Sequence, residues 1–153
     1  MRVIEACTEG EVAKARELFE EYWNSFGFTP CFQGFAEEVA SLPGKYAAPG
    51  GTLGLLLMEG EVAGCVALRR FDETRGEFKR LYVRPAYRGM GLGRVLLDWV
   101  IGRARELGYR KLVADTMPQM EKALAMYDQA GFARTEAYAA DPTPGAVYLE
   151  MTL

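Results

Sequence analysis

Three glycines within five positions, Gly89, Gly91 and Gly93, form the part of this sequence whose chemistry is easiest to predict. Glycine allows sharp backbone turns and leaves its amide N–H group uncovered by a Cβ atom. Apolar residues recur at helical spacing from Arg94 onward, and the first amides of a helix lack partners within it and attract anions. Because Arg88 and Arg94 also flank the glycines, the segment predicts a loop that binds a pyrophosphate.

The spacing of the glycines excludes two common phosphate-binding loops. The dinucleotide pattern G-x-G-x-x-G needs a glycine where this chain has Arg94, and the P-loop needs a Gly-Lys-Ser/Thr sequence that is absent. The other interpretation is a glycine-rich turn that only connects a strand to a helix. The loop by itself therefore does not identify its ligand.

The sequence contains no histidine, which limits the chemistry that is available. Ser–His and Cys–His nucleophile pairs are excluded, and so are histidine-ligated metals. Any proton transfer must use Glu, Asp, Tyr, Lys, Cys or water. The three cysteines, Cys7, Cys31 and Cys65, lack paired C-x-x-C spacing, so we expect reduced core residues and no metal site.

Length, charge and hydropathy indicate one globular domain. The chain has 153 residues, of which 50% are hydrophobic and 25% charged, as in a domain that buries its own core. Its net charge of −3 opposes binding to nucleic acid or to anionic membranes. The N-terminus has no signal-peptide pattern, and no apolar stretch reaches the roughly 18 residues of a membrane span. We expect a cytoplasmic protein.

The elements that must position the glycine loop follow from periodicity and turn residues. Capping boxes at Thr8–Glu11 and Thr116–Gln119 predict where the first and last helices begin. Helices are expected at 8–27, 31–41, 94–107 and 116–131. Strands are expected at 2–7, 53–58, 61–71, 77–83, 110–114, 132–138 and 146–153. A strand–helix–strand crossover at 77–115 makes this an α/β layer fold.

Two segments of the sequence carry a family pattern. Arg88–Gly93 reads R-x-x-G-x-G, and Ala123–Phe132 reads A-x-x-x-Y-x-x-x-G-F. In these motifs, and in the order of its outer elements, the chain resembles the GNAT superfamily of acyl-CoA-dependent N-acyltransferases. The resemblance spans residues 77–132. One departure is Met120, at a place where many members of the superfamily have Asn.

The resemblance implies a fold and a co-substrate. The fold is a mixed, mostly antiparallel sheet of about six or seven strands with about four flanking helices, splayed between residues 77–83 and 110–115. Acetyl-CoA would lie in the splay. The whole chain, 1–153, would form a single N-acetyltransferase domain that needs no metal.

The same resemblance implies which residues bind acetyl-CoA. Backbone groups of residues 81–83 would pair with the pantetheine arm, and the amides from Gly89 to Arg94 would hold the pyrophosphate. The implied binding residues are Leu81, Tyr82, Val83, Arg88, Gly89, Met90, Gly91, Leu92, Gly93 and Arg94.

Two residues are candidates for the proton transfers that accompany acyl transfer to an amine. Glu77 lies six residues before Val83, where several members of the superfamily have a general base, and burial on a strand would raise its pKa. The alternative is a solvated glutamate at a strand end. Tyr127 matches the tyrosine that protonates the departing thiolate in the superfamily, and packing in the core is its alternative role.

Two adjacent cations are unusual in a strand that is expected to be central, because charged side chains are rarely buried without partners. Either Lys79 or Arg80 binds an acidic group of a substrate, or one of them reaches another face or pairs with a carboxylate such as Asp115. A covalent mechanism through Cys65 is disfavoured, since nothing nearby in the sequence would generate a thiolate.

The sequence does not determine the acceptor, which is either a small-molecule amine or an amine of a protein or peptide. It also leaves open whether the protein is a monomer or a homodimer. Aromatic residues suggest an aromatic acceptor pocket, although they would also suit the core: Tyr22, Trp23, Phe26, Phe28, Phe32, Phe35 and Tyr138.

We therefore expect an N-acetyltransferase that moves the acetyl group of acetyl-CoA to a primary amine by direct attack in a ternary complex. A non-catalytic acyl-CoA-binding sensor of the same fold is the alternative. A nucleotide-binding regulatory domain is a third interpretation, because the anion loop does not name its ligand.

Overall fold

A computed structural model describes residues 1–25, 34–138 and 144–153 of the chain. Within these ranges the strands are β1 Arg2–Glu5, β2 Thr52–Met58, β3 Glu61–Arg70, β4 Arg75–Val83, β5 Lys111–Thr116, β6 Ala133–Thr135 and β7 Val147–Thr152. They form one seven-stranded sheet in the order β1-β2-β3-β4-β5-β7-β6. Only β4 and β5 run parallel; the other neighbours are antiparallel. The expected mixed, mostly antiparallel sheet is confirmed.

β4 and β5 separate in the middle of the sheet. They are paired over three residue pairs only, from Arg75–Lys111 to Glu77–Val113. β4 then continues to Val83 beside β3, and β5 continues beside β7. Beyond Glu77 the two strands share no ladder, and a gap opens between them. The splay therefore lies between the two segments for which it was predicted.

The described ranges contain four α-helices, which are α1 Glu9–Ser25, α2 Phe35–Ala40, α3 Leu92–Glu106 and α4 Glu121–Ala130. Successive residues of a strand point to opposite faces of its sheet. Leu55 and Leu56 of β2 accordingly belong to two separate core clusters. The cluster of Leu55 includes residues of α1 and α2, and the cluster of Leu56 includes residues of α3 and α4. The sheet is thus covered by helices on both faces.

One of the two predicted capping boxes is confirmed. The Thr8 hydroxyl accepts a hydrogen bond from the Glu11 amide at 3.1 Å, and the Glu11 carboxylate accepts one from the Thr8 amide at 3.0 Å. The second box is wrong, because Thr116 is the last residue of β5 and pairs with Val147 of β7. α4 begins later, at Glu121, with no side-chain cap. Pairing between strands outweighs the local capping signal at Thr116.

Other element boundaries differ by a few residues from those expected. β4 begins at Arg75, two residues earlier than predicted, and the strand expected at 132–138 is limited to Ala133–Thr135. α2 confirms the later part of the helix expected at 31–41, while Gly27 and residues 31–33 lie outside the described residues. In the ranges that are described, no helix is both long and apolar enough to cross a lipid bilayer.

Two glycine-to-alanine substitutions should change stability in opposite directions. A Cβ atom at Gly51 would lie 2.6 Å from the Leu68 carbonyl oxygen and 2.8 Å from the Tyr46 backbone, so Gly51→Ala should destabilise the fold by about 1–3 kcal/mol. Gly102 is inside α3 and has open space around it, so Gly102→Ala should stabilise by about 1 kcal/mol through helix propensity. Urea unfolding measures both, and equal effects would contradict the close backbone packing at Gly51.

Candidate functional site

A groove of about 690 Å³ lies between the end of β4 and the beginning of α4, where the sheet is splayed. Its lining comprises Tyr22, Ser25, Leu81, Tyr82, Val83, Arg88, Gln119, Met120, Glu121, Lys122, Ala123 and Met126. A second cavity, of about 660 Å³, lies beside the beginning of α1 and is lined by none of the predicted site residues. Of the predicted site residues, Leu81, Tyr82, Val83 and Arg88 line the groove, whereas residues 89–94, Glu77 and Tyr127 do not belong to its lining.

Six successive backbone amides, from Gly89 to Arg94, lie beside this groove where α3 begins. Among the described residues none of them donates a hydrogen bond to a protein acceptor, and α3 has no side-chain cap. Gly89 and Gly91 have φ angles of 82° and 75°, in the left-handed region that favours glycine. Unpartnered amides with the positive end of the helix dipole suit an anion with several oxygens, such as a pyrophosphate.

The two arginines beside the loop have different surroundings. Arg88 is exposed, donates from Nε to the Val83 carbonyl at 3.0 Å, and lies over the Tyr82 ring at 5.7 Å. Arg94 donates to Asp98 at 2.9 Å, one turn along α3, so its charge is shared with a carboxylate. Both remain close to the amides, but Arg88 is the one that also lines the groove.

The last residues of β4 form an open edge of the sheet. Tyr82 and Val83 pair with Cys65 and Gly64 of β3 on one side. On the other side the ladder with β5 has already ended at Glu77. Backbone groups there have no strand partner, and an extended chain that lies in the groove could use them. Leu81, Tyr82 and Val83 lie on this open edge, and their role in binding stays a prediction.

A β-bulge bends β4 just before this edge. Arg80 and Leu81 together face one residue of β3, and Arg80 has a φ angle of 59°, which is rare for any residue but glycine. The Arg80 guanidinium donates twice to the Glu38 carboxylate, at 2.9 and 3.0 Å. It also lies over the rings of Trp23 and Phe35, at 5.2 and 5.6 Å. These contacts tie α1 and α2 to the bulge.

Tyr127 is buried, and its ring packs edge-on against Phe78 and Phe132, with centroids 5.5 and 6.0 Å away. Burial raises the pKa of its hydroxyl, and the charges of Tyr22 and Asp115 raise it further. No hydrogen-bond partner of this hydroxyl is found in the described ranges. Tyr127 thus packs in the core and also keeps a protonated, unengaged hydroxyl, so the structure is compatible with both of its alternative roles.

Glu77 is buried on β4, and both of its carboxylate oxygens are engaged. Arg69 of β3 donates from Nε to Oε1 at 2.7 Å, and the Tyr138 hydroxyl donates to Oε2 at 2.7 Å. Burial alone would raise the pKa of Glu77, but the charge of Lys79 together with these two partners outweighs burial and holds the pKa below its ordinary value. The expectation of a raised pKa is therefore wrong, and so is that of a solvated strand-end glutamate.

Lys79 and Arg80, the two adjacent cations of β4, both have carboxylate partners. Arg80 pairs with Glu38, and Lys79 lies 3.7 Å from Asp115 of β5, across the splay. The sequence left open whether these cations bind a substrate or pair with a carboxylate such as Asp115. The structure shows the pairing with carboxylates. The pair of Lys79 is much looser than the pair of Arg80.

The aromatic residues expected around an acceptor divide into two groups. Trp23 and Phe35 are buried and stacked, with ring centroids 4.3 Å apart, so they belong to the core. Tyr22 lines the groove, and Tyr138 packs edge-on against Phe71 and Tyr148 beside Glu77. Residues 26, 28 and 32 lie outside the described residues.

The two described cysteines have different environments. Cys65 is buried, and burial raises the pKa of its thiol, so it is not a nucleophile at neutral pH. Cys7 is exposed, which contradicts the expectation of a core residue for it. Cys31 lies outside the described residues. Within the described ranges no group of three or more Cys, Asp or Glu side chains could hold a metal ion.

The sequence did not indicate Arg69 and Tyr138, the hydrogen-bond partners that help to lower the pKa of Glu77. Arg69 lies opposite Glu77 in the β3–β4 register, and Tyr138 comes 61 residues later in the chain. Glu38, the partner of Arg80, was missed as well. The only available signal was charge inside a predicted central strand, which indicates that partners exist without indicating which residues they are.

The sequence profile of the Acetyltransferase (GNAT) family matches residues 13–132. An uncharacterized N-acetyltransferase of Schizosaccharomyces pombe is 37% identical over 138 residues, which are 89% of this chain and 85% of that protein. The chain therefore belongs to the GNAT acetyltransferase family.

Solved structures show the same fold. An acetyltransferase from Streptococcus agalactiae, at 20% identity, superposes with a TM-score of 0.82 over 99% of this chain and 98% of that one. A GNAT family acetyltransferase from Elizabethkingia anophelis, solved with acetyl-CoA bound, is 25% identical. It superposes with a TM-score of 0.63 over 81% of this chain and 84% of that one.

The lowered pKa of Glu77 predicts how its contribution to stability depends on pH. A carboxylate whose pKa is lower in the folded than in the unfolded protein stabilises the fold above the unfolded value, 4.5, and loses that effect as pH falls through its folded value. Glu77→Gln should therefore cost about 1–3 kcal/mol at pH 7. The difference from wild type should shrink progressively below pH 4.5.

Urea unfolding of both proteins between pH 7 and pH 3 measures this difference. Glu136→Gln, at an exposed position, serves as the control and should change stability little at any pH. A difference between wild type and Glu77→Gln that grows as pH falls would contradict the ion pair.

Proposed function

We propose that this protein is an acetyl-CoA-dependent N-acetyltransferase that transfers the acetyl group directly to a primary amine in a ternary complex. The observation that carries the proposal is the run of unpartnered amides from Gly89 to Arg94, which directly follows Arg88, a residue that lines the groove along the open edge of β4. Membership of the family supports it, and so does the acetyl-CoA bound to the related Elizabethkingia protein.

The residues of the groove fit the parts of acetyl-CoA in the order that the resemblance implies. The amides of residues 89–94, with Arg88, would hold the pyrophosphate. The open backbone edge of residues 81–83 would pair with the amide-containing pantetheine arm, much as another strand would. Met120 lines the groove and contributes a thioether where many members of the family have an amide side chain.

Transfer to an amine requires that the amine nitrogen lose a proton and that the departing thiolate gain one. Tyr127 would donate to the thiolate, because its raised pKa keeps the hydroxyl protonated at neutral pH. Glu77 would accept the proton of the attacking nitrogen, directly or through water. Its lowered pKa makes it a weak base, so it would act after attack, when the nitrogen is cationic and more acidic than the free amine.

CoA should stabilise the fold, and the loop glycines should be required for this effect. At 100 times its dissociation constant CoA should add about 2.7 kcal/mol to the free energy of unfolding. Gly91→Val should abolish the shift in melting temperature, because valine resists the φ of 75° that shapes the loop.

Gly60→Val is the matched control, since Gly60 has a similar φ of 84° and open space around it but lies in the β2–β3 turn. It should lower the melting temperature and retain the CoA shift. The absence of any shift for the wild-type protein at millimolar CoA would overturn the proposed function.

Tyr127→Phe should separate chemistry from packing at this position. The substitution keeps the ring contacts with Phe78 and Phe132 and removes only the hydroxyl. We expect kcat to fall about 10²-fold, at the lower end of the range for a positioned acid, with little change in KM for acetyl-CoA.

The control is Tyr109→Phe, which removes a hydroxyl bonded to the Gly50 carbonyl in the same core cluster. It should reduce stability and leave kcat unchanged. Release of free thiol from acetyl-CoA measures both rates, and wild-type turnover by Tyr127→Phe would leave this tyrosine with a packing role only.

A further inference from the structure

Lys79 and Asp115 form a loose charged pair across the gap between β4 and β5, just beyond the end of their ladder at Glu77. They come from the two strands that separate, and their side chains are only 16% and 20% exposed. Lys79 Nζ and Asp115 Oδ1 are 3.7 Å apart, which is within ion-pair distance but longer than a hydrogen bond. The neighbouring pairs Glu77–Arg69 and Arg80–Glu38 are hydrogen-bonded at 2.7 and 2.9 Å.

The loose pair has unused hydrogen-bonding capacity. An ammonium group has three donors, and a carboxylate has about four acceptor sites. In the part of the chain that the structure describes, neither Lys79 nor Asp115 makes a side-chain hydrogen bond. Charged groups that are mostly shielded from solvent favour hydrogen-bonded partners, so the pair would gain from a ligand that offers both a donor and an acceptor.

The position of the pair is suited to an acceptor. Lys79 and Asp115 point to the same sheet face as Glu77, because residues at even spacing along a strand share a face. The pKa values of Tyr22, Tyr127 and Tyr138 are raised chiefly by burial, and the Asp115 carboxylate contributes at all three. The Asp115 carboxylate therefore acts electrostatically on three tyrosines, one of which is the proposed acid.

We propose that the acceptor is a free α-amino acid, whose carboxylate binds Lys79 and whose amino group binds Asp115. In the zwitterion of an α-amino acid the nitrogen is two bonds from the carboxylate carbon. This short separation matches the 3.7 Å between Lys79 Nζ and Asp115 Oδ1. The four charges would alternate, so each buried group would gain a charge-assisted hydrogen bond. This inference rests on the proposed N-acetyltransferase function and names the substrate class of that site.

The reaction on such an acceptor balances. The amino nitrogen forms a bond to the acetyl carbonyl carbon, and the bond from that carbon to the CoA sulfur breaks. The ammonium group loses one proton to water before attack, which frees its lone pair. After attack the nitrogen loses its second proton to Glu77 or water. The leaving thiolate takes the Tyr127 proton, and Tyr127 regains one from solvent, so one proton is released in total. The products are an N-acetyl amino acid and free CoA thiol. Because the amide product has no cationic nitrogen, its attraction to Asp115 is lost, which favours its release.

Other amine acceptors fit this pair less well. The N-terminus of a peptide and the side chain of a protein lysine have no carboxylate beside the amine, so the unused donors of Lys79 would gain no partner from them. A polyamine would place a second cation near the Lys79 ammonium, which is unfavourable in a buried site. The chemistry of the pair thus selects for a carboxylate next to the reacting nitrogen.

The test compares each amino acid of a panel with its decarboxylated amine, for example phenylalanine with 2-phenylethylamine. The rate of thiol release from acetyl-CoA gives kcat/KM for the amino acid and for its amine. This first comparison needs only the wild-type protein. The best amino acid should exceed its amine roughly 10- to 100-fold, as expected for one lost charge-assisted contact. Lys79→Met should reduce this ratio to near one.

Lys111→Met is the matched control, because Lys111 also pairs with a carboxylate, Glu150 at 3.5 Å, on the same strand as Asp115, but its side chain is 44% exposed and lies where β4 and β5 are still paired. It should leave the ratio unchanged. Amines that react as well as their amino acids overturn the inference, and so does CoA binding without transfer to any amino acid. Absence of CoA binding instead overturns the proposed function, so the two failures are distinguishable.

Discussion

The separation of β4 from β5 beyond Glu77 is the constraint on which the rest of the structure depends. α3 connects the end of β4 to the beginning of β5, so the crossover leaves only Arg75–Glu77 paired with Lys111–Val113. The bulge at Arg80 then turns β4 away while β5 follows β7. Backbone groups left without a ladder need other partners, since unpaired buried amides and carbonyls are costly. A groove that an amide-containing chain can enter is the consequence.

The charged residues beside this gap keep it open without leaving isolated charges. Arg69 neutralises Glu77, and Glu38 neutralises Arg80, in pairs that join β4 to β3 and to α2. Both pairs are short and hydrogen-bonded, so they hold the shape of the cleft and have little capacity for a ligand. Lys79 and Asp115 span the gap itself, where no ladder holds the strands together, and this explains why their pair is loose.

Local signals were sufficient for most of the fold and for the glycine-rich turn that begins α3. The Thr8–Glu11 box, the glycines at 89–93 and the periodicity of α3 each act over one or two turns of chain, and the structure confirms the elements they predict. The signal at Thr116 failed because a strand partner from the C-terminal end, Val147, competes for the same residue. Local propensity is overridden where a distant segment forms more favourable backbone hydrogen bonds with the same residues.

The sequence by itself indicated most of the elements and the family motifs, because these depend on residue type and short spacing. The resemblance to the family then pointed to Glu77 and Tyr127 as candidates. Only the tertiary structure decided the chemical state of those positions. Glu77 has a lowered pKa because strand register places Arg69 beside it and a segment 61 residues away supplies Tyr138. Lys79 meets Asp115 because the crossover makes their strands neighbours. The sequence encodes such contacts only through the energy of the whole fold, which no local pattern reveals.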